Sequence, residues 1–256
     1  MRTLWTGSIG FGLVNIPIKL FSAVQNSHLD LDMLDSKDHS RIKFQRINEN
    51  TKKVVPFDKI VKGYLIKDKY VILDDQDFED ASPEKTKMIE LENFVNISEI
   101  NPIYYETSYY AEAAKQGKKA YALLLKALIK SKKAGVARFV FRNTENLCVI
   151  HPMDDMLVVT KIRFPEEIRG FEDLETPDLE AVSKKELDVG LALIKQYTSE
   201  FNIDSFKDEY TKELMKIIKA KAKGKTATVK KLKPREETTD DLYSQLMQSL
   251  GGRKGA

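Results

Sequence analysis

The sequence has one cysteine, Cys148, so it can form no disulfide within the chain. Only three histidines, His28, His39 and His151, accompany it, too few for a Cys/His zinc cluster. The opening MRTLWTGSIGFG carries one basic residue but no apolar stretch behind it, which argues against a secretory signal. No window approaches the run of about 18 apolar residues that reads as a membrane span. A soluble, cytoplasmic chain is therefore expected. Composition argues against wholesale disorder: 42% of the 256 residues are hydrophobic and 32% charged, as in globular proteins. A chain of this length can bury a core without a disulfide or metal to hold it.

The net charge of +3 conceals large local charges. Residues 36–70 hold ten basic and four acidic side chains, whereas residues 74–92 hold eight acidic and two basic. Residues 112–138 carry eight basic side chains against Glu112 alone, and residues 216–235 nine basic and no acid. One such run is commonly a solvated face. Three basic segments in one small chain point to a polyanion, and to nucleic acid in particular.

Loose alternation over the first 23 residues, with Gly7, Gly10 and Gly12, predicts strands bent at glycine. RIKFQRI (41–47) and KVVPFDKIVKGYLI (53–66) read as two strands around the turn NENTK, and 70–73 as a short third. Tyr121, Leu124, Leu125 and Leu128 fall on one face of a helix whose other face is lysine, with Gly135 expected to end it. VARFVFR, LCVIHP and MLVVTKIRF, separated by turn residues, predict a three-stranded meander. After Pro165 the pattern turns helical. Ser183/Glu186 and Ser205/Asp208 are capping-box spacings before Leu187, Leu191, Ile194 and Phe201, and before Phe206, Tyr210, Leu214 and Ile217. KAKAKGKTATVKKLKPREETTDD reads as a basic linker, its lysines forming a polybasic arm. A last amphipathic turn follows, with Asp240 and Asp241 at its start and Gly251 as its cap.

Catalytic patterns fail on inspection. Gly224-Lys225-Thr226 resembles the end of a phosphate loop, but Lys219 stands where the loop needs its first glycine. Gly10 and Gly12 cannot begin a dinucleotide fingerprint, because Asn15 holds the third glycine place. Asp74, Asp75, Asp77, Glu79 and Asp80 are dense enough to consider a Mg²⁺ nuclease, with solvated surface the commoner explanation. His151 and Cys148 read as packed residues. No catalytic residue, cofactor or metal is assigned.

The basic residues 36–70 form a ribbon with too little apolar material for its own core, so it should project. At ~3.4 Å per residue, about twelve residues reach roughly 40 Å, enough to pass along one side of a duplex. Few aromatics interleave the basics, and no helix-turn-helix or zinc finger offers base readout. Contact with phosphates without sequence reading is expected. An open-faced nucleoid-type DNA-binding protein is the alternative.

These stretches resemble the bacterial Ku proteins, the DNA-end-binding factors of non-homologous end joining. The resemblance rests on WTGSIGFGLVNIPIKLFSA (5–23), RIKFQRINENTKKVVPFDKIVKGY (41–64) and YVILDDQDFE (70–79). It continues through YYETSYY (104–110), KAYALLLKAL (119–128), VARFVFR (136–142) and FPEEIR (164–169). Two places depart: Tyr109–Tyr110 runs into AEAAKQG where the family usually has a proline, and the turn at Asn50–Lys53 lacks a glycine common there.

The resemblance implies a β-rich α+β fold. A Ku-type β-barrel core over 1–175 would carry a long basic bridge at about 36–70 that forms half of a dimeric ring. A C-terminal helical region (176–222) and a basic tail (223–256) with a short terminal helix would follow. The implied partners are double-stranded DNA ends, a second copy of the chain and DNA ligase D, with no membrane, no enzyme activity and a nucleoid association. Phosphate contacts are assigned to Arg41, Lys43, Arg46, Lys52, Lys53, Lys59 and Lys62. The tail adds Lys221, Lys223, Lys225, Lys230, Lys231 and Lys233 toward DNA, and Leu242, Leu246, Met247 and Leu250 toward the ligase.

Overall fold

The computed structural model describes residues 1–81, 87–141, 144–225 and 242–251. Two compact units divide the chain, Met1–Gly170 and Phe171–Ala256.

In the first unit, β1 (Thr3–Phe11) and β2 (Val14–Ser22) form a hairpin across Gly12–Leu13. Gly12 sits at φ +55°, the left-handed conformation that a two-residue turn demands at its first position. Gly7 and Gly10 lie within β1 rather than at bends. An added Cβ at Gly7 would stand 2.2 Å from the Lys87 carbonyl, so absence of a side chain, not bending, is what that site requires.

The chain then crosses to β3 (Lys62–Ile66) and β4 (Lys69–Leu73), a two-stranded sheet of its own, followed by a short helix α1 (Asp75–Asp80). β5 (Met88–Asn96), β6 (Tyr105–Ala113), α2 (Lys118–Ser131), β7 (Lys133–Phe141), β8 (Thr144–Met153) and β9 (Met156–Ile162) complete the unit. Seven strands close a barrel in the order β1-β2-β6-β9-β8-β7-β5. Every seam is antiparallel except the last, where β5 pairs parallel with β1 over Ser8–Met88, Ile9–Ile89 and Gly10–Glu90. The expected meander is β7–β8–β9. Its inward residues Ala137, Cys148, Ile150, Leu157 and Val159 are fully buried, because side chains alternate across a strand.

Helix α2 adds Tyr121, Leu124 and Leu128 to the barrel core, as its periodicity predicts. Gly135 does not end this helix. Lys132 takes the left-handed cap at φ 56°, and Gly135 lies in β7, where the Leu91 side chain occupies the space a Cβ would need. The Tyr121 hydroxyl donates to the Ala111 carbonyl at 2.6 Å and accepts from the Leu157 N–H at 2.7 Å. It thus stands in the β6–β9 ladder, where these two residues face each other. Burial pushes its pKa up, so it stays protonated and able to donate. Tyr121→Phe keeps the ring but strands two buried backbone groups, at about 1–3 kcal/mol each. Chemical denaturation should show a loss of about 3 kcal/mol. A change under about 1 kcal/mol would mean that the strands close the gap themselves.

In the second unit, α3 (Lys184–Tyr197) begins at Ser183 with the expected capping box: Ser183 N–H donates to Glu186 at 2.8 Å, and Glu186 N–H to Ser183. Helix α4 (Glu209–Ala222) starts three residues later than its spacing indicated. Ser205 closes a 3-10 turn, and Asp208 is the cap, accepting from Thr211 N–H at 2.9 Å. Phe206 consequently falls outside the helix. The basic linker also begins later than expected, since α4 runs through Ala222. Gly224 at φ +67° then ends it, with Gly224 N–H on the Lys221 carbonyl and Lys225 N–H on Ala220. Helix α5 (Leu242–Gly251) packs against α3.

Candidate nucleic-acid interface

From Phe21 to Met88 no described residue is buried. Leu34 bridges to Arg41 and Ile47 to Val54, each closing a tight reversal, at 35–40 and 48–53. The expected continuous ribbon is therefore corrected. RIKFQRI pairs only at its ends, where Ile42 N–H donates to the Met33 carbonyl and the Arg46 carbonyl accepts from Val55 N–H across the NENTK turn, and 62–66 pairs with 69–73 rather than with 41–47. The partner is the nearer one because Lys67 and Asp68, both at positive φ, make a two-residue hairpin turn. All this backbone is held by local contacts, so its side chains remain on the surface.

The seven assigned cations divide by their surroundings. Arg41 pairs with Asp32 at 2.5 Å. The Arg46 guanidinium lies over the Phe57 ring at 5.2 Å, and Lys62 Nζ over Phe78 at 4.4 Å. Lys43, Lys52, Lys53 and Lys59 are exposed and have no ion pair among the described residues. Lys52 and Lys53 occupy the second reversal, and Lys59 closes a 3-10 turn. These four are the assigned cations whose charge no described side chain engages. Lys37, Lys67 and Lys69 share the segment and its charge, which could have brought them into the assignment.

Apolar side chains alternate with these cations and are also uncovered. Phe44 is 81% exposed, and Tyr64, Leu65, Ile66, Tyr70, Val71 and Ile72 lie exposed on both faces of β3–β4. A lone two-stranded sheet is at best marginal in water, so these faces call for a covering surface.

The acidic run is not arranged as a metal site. Asp74 caps α1 by accepting from Asp77 N–H at 3.0 Å, and Asp77 accepts from Asp74 N–H at 2.9 Å. No group of three or more His, Cys, Asp or Glu side chains converges among the described residues. His151 is half-buried with Nε2 3.1 Å from the Thr160 hydroxyl, and burial holds its pKa below the usual imidazole value. Burial likewise pushes the Cys148 thiol up, away from the nucleophilic thiolate.

Lys221 lies in the last turn of α4, Lys223 caps it and Lys225 follows; Lys230, Lys231, Lys233, Asp240 and Asp241 lie outside the described residues. In α5, Leu246 and Leu250 are half-buried, while Leu242 and Met247 remain exposed. The lysines of α2 went unassigned, although the charge count had marked their segment.

The first unit is thus a closed barrel that carries exposed cations on a long excursion without a core of its own. Comparison with known proteins gives the family. The sequence model of the Ku70/Ku80 beta-barrel domain matches residues 10–189, and the chain belongs to the Ku family. It is 36% identical over 255 residues to the non-homologous end joining protein Ku of Bacillus subtilis, covering 98% of this chain and 82% of that one. The protein of the same name from Coxiella burnetii is 34% identical, with 97% and 94% covered. That from Archaeoglobus fulgidus is 38% identical, with 90% and 91% covered. No helix among the described residues is long and apolar enough to cross a membrane.

Proposed function

We propose that this protein binds the ends of double-stranded DNA without sequence preference, as a homodimer whose two bridges close a ring, in repair by non-homologous end joining. The observation that carries the reading is the excursion between Leu20 and Ile89, with lysines and apolar faces that the described residues leave unpaired and uncovered. A second copy would cover the apolar faces, and phosphates would neutralise the lysines. The names of the relatives supply the repair process. The reading assigns no chemistry to the protein itself: it protects ends in the nucleoid and brings DNA ligase D to them.

A closed ring loads only through a free end. Linear duplex should therefore be retained by the protein while the same DNA as a relaxed, covalently closed circle is not. Circularising the DNA after loading should trap the protein against high salt. Equal retention of both forms would favour the open-faced alternative.

The tail carries a separate expectation. Leu242 and Met247 are left open on α5, whose other side meets α3, and they offer the ligase a contact. Removing residues 236–256 should leave end binding nearly unchanged and reduce stimulation of DNA ligase D. Removing residues from 221 onward should also weaken DNA binding, most visibly at low salt. Full stimulation by the shorter truncation would place the recruiting surface on the barrel.

A further inference from the structure

The β8–β9 hairpin, the C-terminal end of α2 and the turn after β5 enclose a cleft of about 450 Å³. Its floor is apolar: Ile97, Leu128, Ile129 and Pro152. Leu128 is buried, but Ile97 and Ile129 are each nearly half exposed, so the floor still has surface to lose to a ligand. Lys132 and Lys133 stand on the rim with His151, and Asp154 lies at the hairpin edge.

The charge around this cleft is one-sided. Between Ala113 and Ala137 the sequence has Lys115, Lys118, Lys119, Lys126, Lys130, Lys132 and Lys133, and no acidic residue. Packing of Tyr121, Leu124 and Leu128 into the barrel turns Lys119, Lys126 and Lys130 outward. None of these three, nor Lys132, forms an ion pair among the described residues. Three carboxylates oppose them. Asp154 and Asp155 are exposed in the β8–β9 turn, and Glu99 lies close enough to Lys133 to feel its charge while bonded to the Asn96 side chain at 2.6 Å.

We infer that this cleft docks a partner peptide in which a bulky apolar side chain is flanked by carboxylates. The apolar floor takes the side chain, and Lys130, Lys132 and Lys133 face the acids. The size lies within the ~300–1,000 Å³ range of ligand pockets, suited to one or two side chains. A duplex gains nothing from an apolar floor, so contact between DNA and these lysines would leave the cleft unfilled. The inference stands on the barrel alone, with or without a ring.

The probe is the blocked hexapeptide acetyl-Asp-Asp-Leu-Phe-Asp-Asp-amide, added to the full chain with ¹³C-labelled isoleucine methyl groups. Ile97 and Ile129 are then built-in reporters. Their methyl signals should shift saturably, while those of Ile16 and Ile18 in the barrel core should not. Replacing Leu-Phe by Gly-Gly in the peptide, or combining K132Q with K133Q in the protein, should each weaken binding about tenfold. I129S, at a half-exposed position, should weaken it while leaving the core methyl spectrum intact. Equal binding of the glycine peptide would reduce the site to a charged surface and overturn the inference. So would still methyl signals at Ile97 and Ile129, or indifference to the lysine substitutions.

Discussion

Neutralising Lys43, Lys52, Lys53 and Lys59 together should lower affinity for linear duplex about a thousandfold at 0.15 M salt if each meets one phosphate. Each lost contact removes about 0.9 from the slope of log K against log salt, so four remove about 3.6. If two copies of the chain surround the DNA, every substitution is made twice and the loss approaches about 7. The slope therefore counts copies as well as contacts. Sequence preference should not change, because phosphates carry no base identity. Arg41→Gln should do less, since Asp32 already neutralises that guanidinium. Fluorescence anisotropy across a salt series measures all of this. A quadruple variant with an unchanged slope would move the DNA path away from the bridge.

The second large effect concerns the barrel seam. β5 and β1 are held together by three registered residue pairs, and Ser8 N–H donates to the Lys87 carbonyl at 2.9 Å beside them. A Cβ on Gly7 would lie 2.2 Å from that same carbonyl and 2.2 Å from the Trp5 ring. The acceptor is backbone and cannot swing aside, so Gly7→Ala must part the strands there. A loss of about 3 kcal/mol or more in urea denaturation is expected. Two other glycines calibrate it. Gly10→Ala meets the Met88 sulfur at 2.9 Å, the flexible part of a side chain, and should cost about 1 kcal/mol. Gly190→Ala, in α3 with nothing within 4 Å, should stabilise by about 1 kcal/mol. If Gly7→Ala were as mild as Gly10→Ala, the seam would be more compliant than its geometry states.

The same seam marks how far the sequence could be read. The meander β7–β9 and the buried face of α2 were legible because each is a local pattern, of period two or three to four, with turn residues between. β5 and β6 were not assigned as strands. MIELENFVN has Ile89 as its sole fully buried residue, and YETSYYAEA buries only Tyr109 and Ala111 among polar and small residues. Neither alternates clearly, since what each contributes depends on neighbours far away in sequence. In the second unit, Leu187 and Leu191 fall on an apolar stripe and yet are each 54% exposed. The half-buried positions of α3 are Glu186, Val189, Gly190 and Leu193, so the stripe alone did not say which face meets α5.

The sequence by itself determined the chemical character of this protein: one thiol, few histidines, segregated charge, and a basic stretch too poor in apolar residues for a core. Those are sums over residues and need no coordinates. It also placed the elements whose hydrogen bonds and burial follow from their own spacing. Closure of β5 onto β1, the Tyr121 hydroxyl in the β6–β9 ladder, and the division of the bridge cations into engaged and free were decided by the tertiary structure. Each joins groups that are distant along the chain or depends on where one ring or carboxylate lies, and local periodicity carries no term for that.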